Sequence, residues 1–165
     1  MNSNNPHRLV LAAALALAIG AVSASSPHFV KGPDASINSR NGNVTVSWKE
    51  AGLGSTTTVF YEASADANAR YQCVNRGGNC PAAANKQDVT GPVSAEGQFN
   101  SGKNGQITAS LTIEPPESTL NCPGNQVRAL VSVSYTGIAL ADLTNDVVAL
   151  ADPSSLSMAG PECPD

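Results

Sequence analysis

The chain has 165 residues, four cysteines and a formal net charge of −4 at pH 7. Its nine Lys and Arg are scattered, which excludes the clustered cationic surface on which nucleic-acid affinity rests. Beyond the N-terminal segment no stretch is apolar enough to cross a bilayer as a helix, because even 129–140 is broken by Ser132, Ser134 and Thr136.

In chain order the first feature is a tripartite leader. His7 and Arg8 precede an apolar run over 9–19, and Gly20 leads into the small residues Val22, Ser23 and Ala24. This is the pattern of a secretory signal peptide, too short to span the hydrocarbon core. Cleavage is expected after Ala24, giving a leader over 1–24 and a single domain over 25–165. The domain keeps eight Lys plus Arg against thirteen Asp plus Glu, a formal charge of −5. A length of about 140 residues suffices for one core that buries roughly two thirds of the unfolded chain's surface.

Turn residues then punctuate the chain, and the segments between them alternate with the period of two expected of half-buried strands. Val44, Val46 and Trp48 share one face, with Thr45 and Ser47 on the other. Val59, Tyr61, Ala63 and Ala65 repeat the pattern, although Phe60 falls on the face that should be polar. Val93, Ala95, Gly97 and Phe99 alternate with polar residues, as do Ile107, Ala109, Leu111 and Ile113. These two runs are expected to pair as a hairpin through Asn104 and Gly105, which accept positive φ. Pro115 and Pro116 end the second run. Val127, Ala129, Val131, Val133 and Tyr135 form the longest alternating face, and the polar turn 142–146 leads into a last hairpin strand over 147–151. A helical turn near Ala82 is the one helical feature expected after the leader. About seven strands without repeats predict an all-β, immunoglobulin-like antiparallel sandwich. A jelly roll or partly closed barrel fits the same pattern.

The residues carry little catalytic chemistry. The domain has one histidine, His28, near the expected new terminus, where a Ser-His-Asp site would lack the rigid support it needs. No C-x-x-C pair or other ligand spacing predicts a metal site, and no cofactor motif is present. Glu50, Glu62, Glu114 and Glu117 supply carboxylates without a pattern that selects a pair, leaving a small hydrolase with two carboxylates as the alternative function. Trp48 is expected in the core. Asn43, Val44 and Thr45 form a glycosylation sequon, relevant in a eukaryotic host. Four cysteines in an exported chain are expected to pair, and they allow three connectivities. Loop-closure entropy favours the longer loops, at roughly 4 kcal/mol for about 50 residues, but does not choose between connectivities.

Three segments stand out: Ser26-Pro27-His28-Phe29, Lys49-Glu50-Ala51-Gly52-Leu53-Gly54, and the run from Cys73-Val74-Asn75 through Gly77-Gly78-Asn79 and Pro81 to Asn85-Lys86. Together they resemble a family of small secreted proteins of uncharacterised function, found chiefly in bacteria. The resemblance extends loosely to the last strand and implies an immunoglobulin-like sandwich, without carrying over a catalytic residue, cofactor or ligand. In it Cys73 and a match to Cys122 occur without counterparts of Cys80 and Cys163. The resemblance therefore implies Cys73 bonded to Cys122, with Cys80 and Cys163 as an added pair that pins the C-terminal tail.

The functional expectation is a non-catalytic extracellular module that binds a protein or polymer. Glu50, Asn75, Asn79, Asn85 and Lys86 are its candidate binding residues, set at one end of the sandwich. The competing reading is that Asn and Gly are there for loop shape alone. Mass spectrometry of the secreted protein is expected to show a chain starting within about two residues of Ser25; an intact Met1 would refute the leader.

Overall fold

A computed structural model describes residues 26–82 and 84–164, so the expected leader lies outside the described residues. These form β1 (His28–Ile37), β2 (Val44–Ala51), β3 (Thr58–Asn75), β4 (Lys86–Asn100), β5 (Ile107–Ile113), β6 (Gln126–Asp142), β7 (Val147–Leu150) and β8 (Leu156–Ala159). One antiparallel sheet has the order β1-β2-β5; the other has the order β4-β3-β6-β7, with β8 also paired to β6. The described residues near Ala82 form no helical turn.

The inward faces of the two sheets make the core. Val44, Val46 and Trp48 from β2 and Ile107, Leu111 and Ile113 from β5 meet Val59, Tyr61 and four alternating alanines of β3, with Val133, Tyr135, Ile138 and Leu140 from β6. Trp48 is 3% exposed. It lies 4.8 Å from the Tyr61 ring and packs edge-on against Phe99 at 5.5 Å, aromatic geometries that add to area burial. Phe60 points outward, so the register read from Val59, Tyr61 and Ala63 is the one adopted.

The expected hairpin between 93–99 and 107–113 does not form. β4 pairs along its whole length with β3, and β5 pairs with β2 in the other sheet. The intervening loop crosses between the sheets and is fixed there. Leu53 N donates to Gly105 O, Ser101 N to Thr57 O, and Ser101 Oγ to Gly54 O. Gly105 is required at this crossing: its φ is +66°, and a Cβ would come within 3.2 Å of the Gly54 backbone. Alternation states which side chains face the core but not which strand lies alongside.

The N-terminal segment around His28, expected to lack rigid support, is strand β1. His28 pairs with Ala51 and Ile37 with Val44. Further along, Ala35 N donates to Asp152 O and Asp152 N to Pro33 O, which ties β1 to the segment between β7 and β8.

The expected face of β6 holds only in part: Val131, Val133 and Tyr135 are buried, but Val127 is exposed. Between Arg70 and Tyr71 of β3 the pairing skips Val131, and this shift turns Val127 to the outer side. Between Ser64 and Asp66, Gly137 and Ile138 of β6 stand against one β3 residue. Gly137 takes a φ of +64° at this bulge, and beyond it Ile138, Leu140 and Asp142 face inward.

β3 is 18 residues long, whereas β2 has 8. The overhang of β3 past Ala69 therefore has no second sheet to bury it. Loop 114–125 covers the inner side, where Tyr71 Oη donates to Pro116 O and Cys73 is bonded to Cys122. The tail covers the outer side, where Gln72 Nε2 donates to Pro161 O, Cys163 N donates to Gln72 Oε1, and Cys163 is bonded to Cys80. The pairing implied by the resemblance is thus the one present. Replacing Cys80 and Cys163 together by serine removes a cross-link between residues 83 apart in sequence. Urea denaturation of this double variant is expected to show a loss of about 2–4 kcal/mol; an unchanged midpoint would show the tail to be held without the bond.

Candidate functional site

The alternation that puts Val44, Val46 and Trp48 into the core continues one step further and puts Glu50 there, 0% exposed. Tyr61 Oη donates to Glu50 Oε2 at 2.7 Å, across the sandwich from β3 to β2. Asp142, 1% exposed, lies opposite Tyr61 in the β3–β6 pairing. Its carboxylate organises the β6–β7 turn by accepting from Thr144 N at 2.8 Å, Asn145 N at 3.0 Å and Asn145 Nδ2 at 2.6 Å. Glu50 Oε1 and Trp48 Nε1 have no hydrogen-bond partner among the described residues.

Burial pushes the Glu50 carboxyl up to about 7; the Tyr61 hydrogen bond opposes the rise, Asp142 adds to it, and the more distant His28 opposes it weakly. Burial, with Glu50 beside it, also holds the Tyr61 hydroxyl well above its usual range. The constellation is a protonatable carboxyl beside a hydrogen-bonded carboxylate, sealed from solvent.

Two of the segments that carry the family resemblance meet here. Phe29 pairs with Glu50 and His28 with Ala51. The carbonyl oxygen of Ser26 lies 2.2 Å from where a Cβ on Gly52 would be, and Gly52 has a φ of +80°. Only glycine admits that approach. His28 Nδ1 lies 2.7 Å from Ser26 O and the side chain is exposed.

The predicted binding set is divided. Asn75, Asn79, Asn85 and Lys86 gather at the far end of β3, whereas Glu50 bonds to Tyr61 near its start. Fourteen residues of extended chain, roughly 45 Å, separate the two ends. Backbone groups close the far loop: Asn75 N donates to Asn79 O, Gly78 N to Asn75 O and Cys73 N to Asn85 O. Lys86 Nζ lies 3.2 Å from Glu162 Oε1, which Arg70 also contacts at 3.0 Å while bonding Asp88. Lys86 first, then Arg70, holds the Glu162 carboxyl below its usual range. This end is an anchored tail rather than an open cation site. Among the described residues no group of three or more His, Cys, Asp and Glu converges.

Above the buried carboxyls the outer face of the larger sheet carries an apolar patch. Phe60 and Leu143 are each 51% exposed, Val148 69% and Leu150 67%. The patch is held rigidly, since Leu143 N donates to Phe60 O and Phe60 N donates to Thr144 Oγ1. Phe60, Leu143, Glu96 and Gln98 line a depression of about 240 Å³ floored by Tyr61 and Gly97. Sequence reading noticed Phe60 as out of phase but assigned it no role. It missed Asp142 because the Gly137 bulge reverses the phase of β6. No family model matches this chain, and neither a curated protein nor a solved structure does.

Glu50 has a folded-state value of about 7 against an ordinary 4.5. The stability tied to its protonation is therefore complete below pH 4.5 and lost as pH rises through 7, about 3 kcal/mol in all. Urea midpoints measured from about pH 4.5 to pH 8 are expected to fall accordingly. The Glu50→Gln variant, which keeps an acceptor for Tyr61 Oη, is expected to lose that slope; an identical slope would remove Glu50 as its source.

Proposed function

We propose that this chain is exported and acts outside the cell as a non-catalytic, immunoglobulin-like interaction module. It docks a protein partner on the outer face of the larger sheet at its β6–β7 end. The observation that carries this reading is the exposed cluster of Phe60, Leu143, Val148 and Leu150. Phe60 beside Leu143, with Val148 and Leu150 across Ala141 and Ala139 of β6, put four large apolar side chains on one outer face, which marks an interaction site more than scattered single exposures do. β7 is also an edge strand, paired only with β6, so its free side offers backbone groups to an extended segment of the partner.

Export is supported by the leader pattern and by two disulfides, Cys73–Cys122 and Cys80–Cys163. No helix among the described residues is long and apolar enough to cross a membrane. The immunoglobulin-like reading is supported by the order β1-β2-β5 facing β4-β3-β6-β7. Membership of the resembled secreted family is supported by the meeting of its first two segments at Gly52. The hydrolase alternative finds less support, because the carboxyl pair that the fold assembles, Glu50 with Asp142, is closed to substrate.

In a sedimentation assay with washed cells of the producing organism, the purified domain is expected to pellet. The Val148→Lys, Leu150→Lys double variant is expected to stay in the supernatant while retaining its urea midpoint. Equal sedimentation of that variant would overturn the assigned surface. Turnover of an ester, peptide or glycan that Glu50→Gln abolishes would overturn the non-catalytic reading.

A further inference from the structure

The outer face of the smaller sheet carries a different chemistry. Lys31 of β1 stands directly opposite Lys49 of β2, and Lys49 stands opposite Thr108 of β5. The next row across the same strands is Asp34, Ser47 and Ser110. These six side chains line one open groove of about 360 Å³, within the size range of small-ligand sites.

Like charges directly opposed on neighbouring strands repel one another and destabilise a sheet. The domain has few cations to place, eight against thirteen carboxylates. Two of them, Arg70 and Lys86, are ion-paired with Asp88 and Glu162; Lys31 and Lys49 are instead the two that the register sets opposite each other. Lys31 and Lys49 take part in no ion pair among the described residues, and Asp34 in the same groove forms none with either. The pairing of β1 with β2 shifts on both sides of Lys31, and Gly32 follows it at a φ of +68° with Ser47 O 2.7 Å from where its Cβ would be. A local backbone irregularity, made possible by Gly32, thus sets Lys31 opposite Lys49 in the ladder.

We propose that this groove is a binding site for an acidic sugar of an extracellular polysaccharide. Lys31 and Lys49 clamp the oxyanion, a carboxylate or a sulfate, from two adjacent strands. Ser47, Ser110 and Thr108 exchange hydrogen bonds with the sugar hydroxyls, and Asp34 accepts from a hydroxyl at the end away from the lysines. Asp34 repels an anion but not a hydroxyl donor, so the groove selects a ligand with one charged end and one polyhydroxylated end. Trp48 and Ala109 complete the lining, but Trp48 is turned into the core and almost wholly buried, so the groove offers no open aromatic face for ring stacking and recognition rests on charge, which suits a charged sugar and not a neutral one. The site lies on the other sheet from the apolar patch, so either proposal can fail without the other.

The test is affinity electrophoresis of the folded domain in gels containing polygalacturonate, dextran sulfate, neutral dextran or duplex DNA. Retardation by polygalacturonate, by dextran sulfate or by both, with none by neutral dextran, is expected, and the arm that retards names the oxyanion. Lys31→Gln and Lys49→Gln are each expected to weaken binding about tenfold. Lys49→Arg and Lys103→Gln, a lysine that does not line the groove, are expected to bind as the parent does. The Lys31→Gln, Lys49→Gln double variant is expected to unfold at an equal or higher urea concentration, because the opposed charges are gone. No retardation by either acidic polysaccharide would overturn the proposal. So would equal retardation by DNA or by neutral dextran, or an equal loss in Lys103→Gln.

Discussion

A carboxyl group enclosed between two sheets must be neutral or fully hydrogen-bonded, and Glu50 sits in that position at one end of this sandwich. Its bond from Tyr61 joins the smaller sheet to the larger one through polar atoms. The ring of the same Tyr61 packs with Trp48 and Phe99, so the residue that bonds the carboxyl is itself fixed in the core. Asp142 stands next to it and spends its own oxygens on the β6–β7 turn. The turn places Leu143 beside Phe60. The exposed apolar patch therefore rests on a buried polar cluster, and the charge state of Glu50 bears on how firmly that end is held.

The opposite end is solved by covalent means. β3 runs far beyond the reach of the smaller sheet, so burial there has to come from loops, which carry little regular hydrogen bonding of their own. One disulfide fastens loop 114–125 to the inner side of the overhang, and the other fastens the tail to its outer side. Gln72 is buried because both of its amide atoms are used by the tail. The arrangement gives the Asn- and Gly-rich loop at this end a structural role, since its backbone must turn sharply within reach of Cys80 while leaving Cys73 in the strand.

The two outer faces differ in what they leave unsatisfied. The larger sheet exposes apolar side chains at its β7 edge. The smaller sheet exposes two ammonium groups set against each other amid hydroxyls. Each departs from what stability and solubility alone would favour. Phe60, Val148, Leu150 and Lys49 lie on paired strand positions, Leu143 is held by the hydrogen-bonded β6–β7 turn, and Lys31 sits in the irregular stretch of β1.

Period-two alternation was legible for β2, for the first half of β3, for the 93–99 part of β4 and for β5, because whether a side chain faces the core is a local property of a pleated strand; β7 was legible only as a strand, since all its residues are apolar. The same count, carried two residues past Trp48, already places Glu50 inside. Strand partnership was not legible: the runs 93–99 and 107–113 would satisfy a hairpin as well as they satisfy two facing sheets, and long-range pairing with β2 and β3 decides between them. β6 was read in one phase because nothing near Val131 or Gly137 announces a bulge; these shifts arise from fitting a long strand against β3. β1 escaped because Gly32 and Pro33 interrupt its pattern, and only its neighbours, β2 and Asp152, supply the bonds that make it a strand. For the same reason the five candidate residues looked like one site. Sequence shows which residues are polar and which turns are tight, whereas an extended strand of 18 residues sets Glu50 and Asn75 at opposite ends of the molecule.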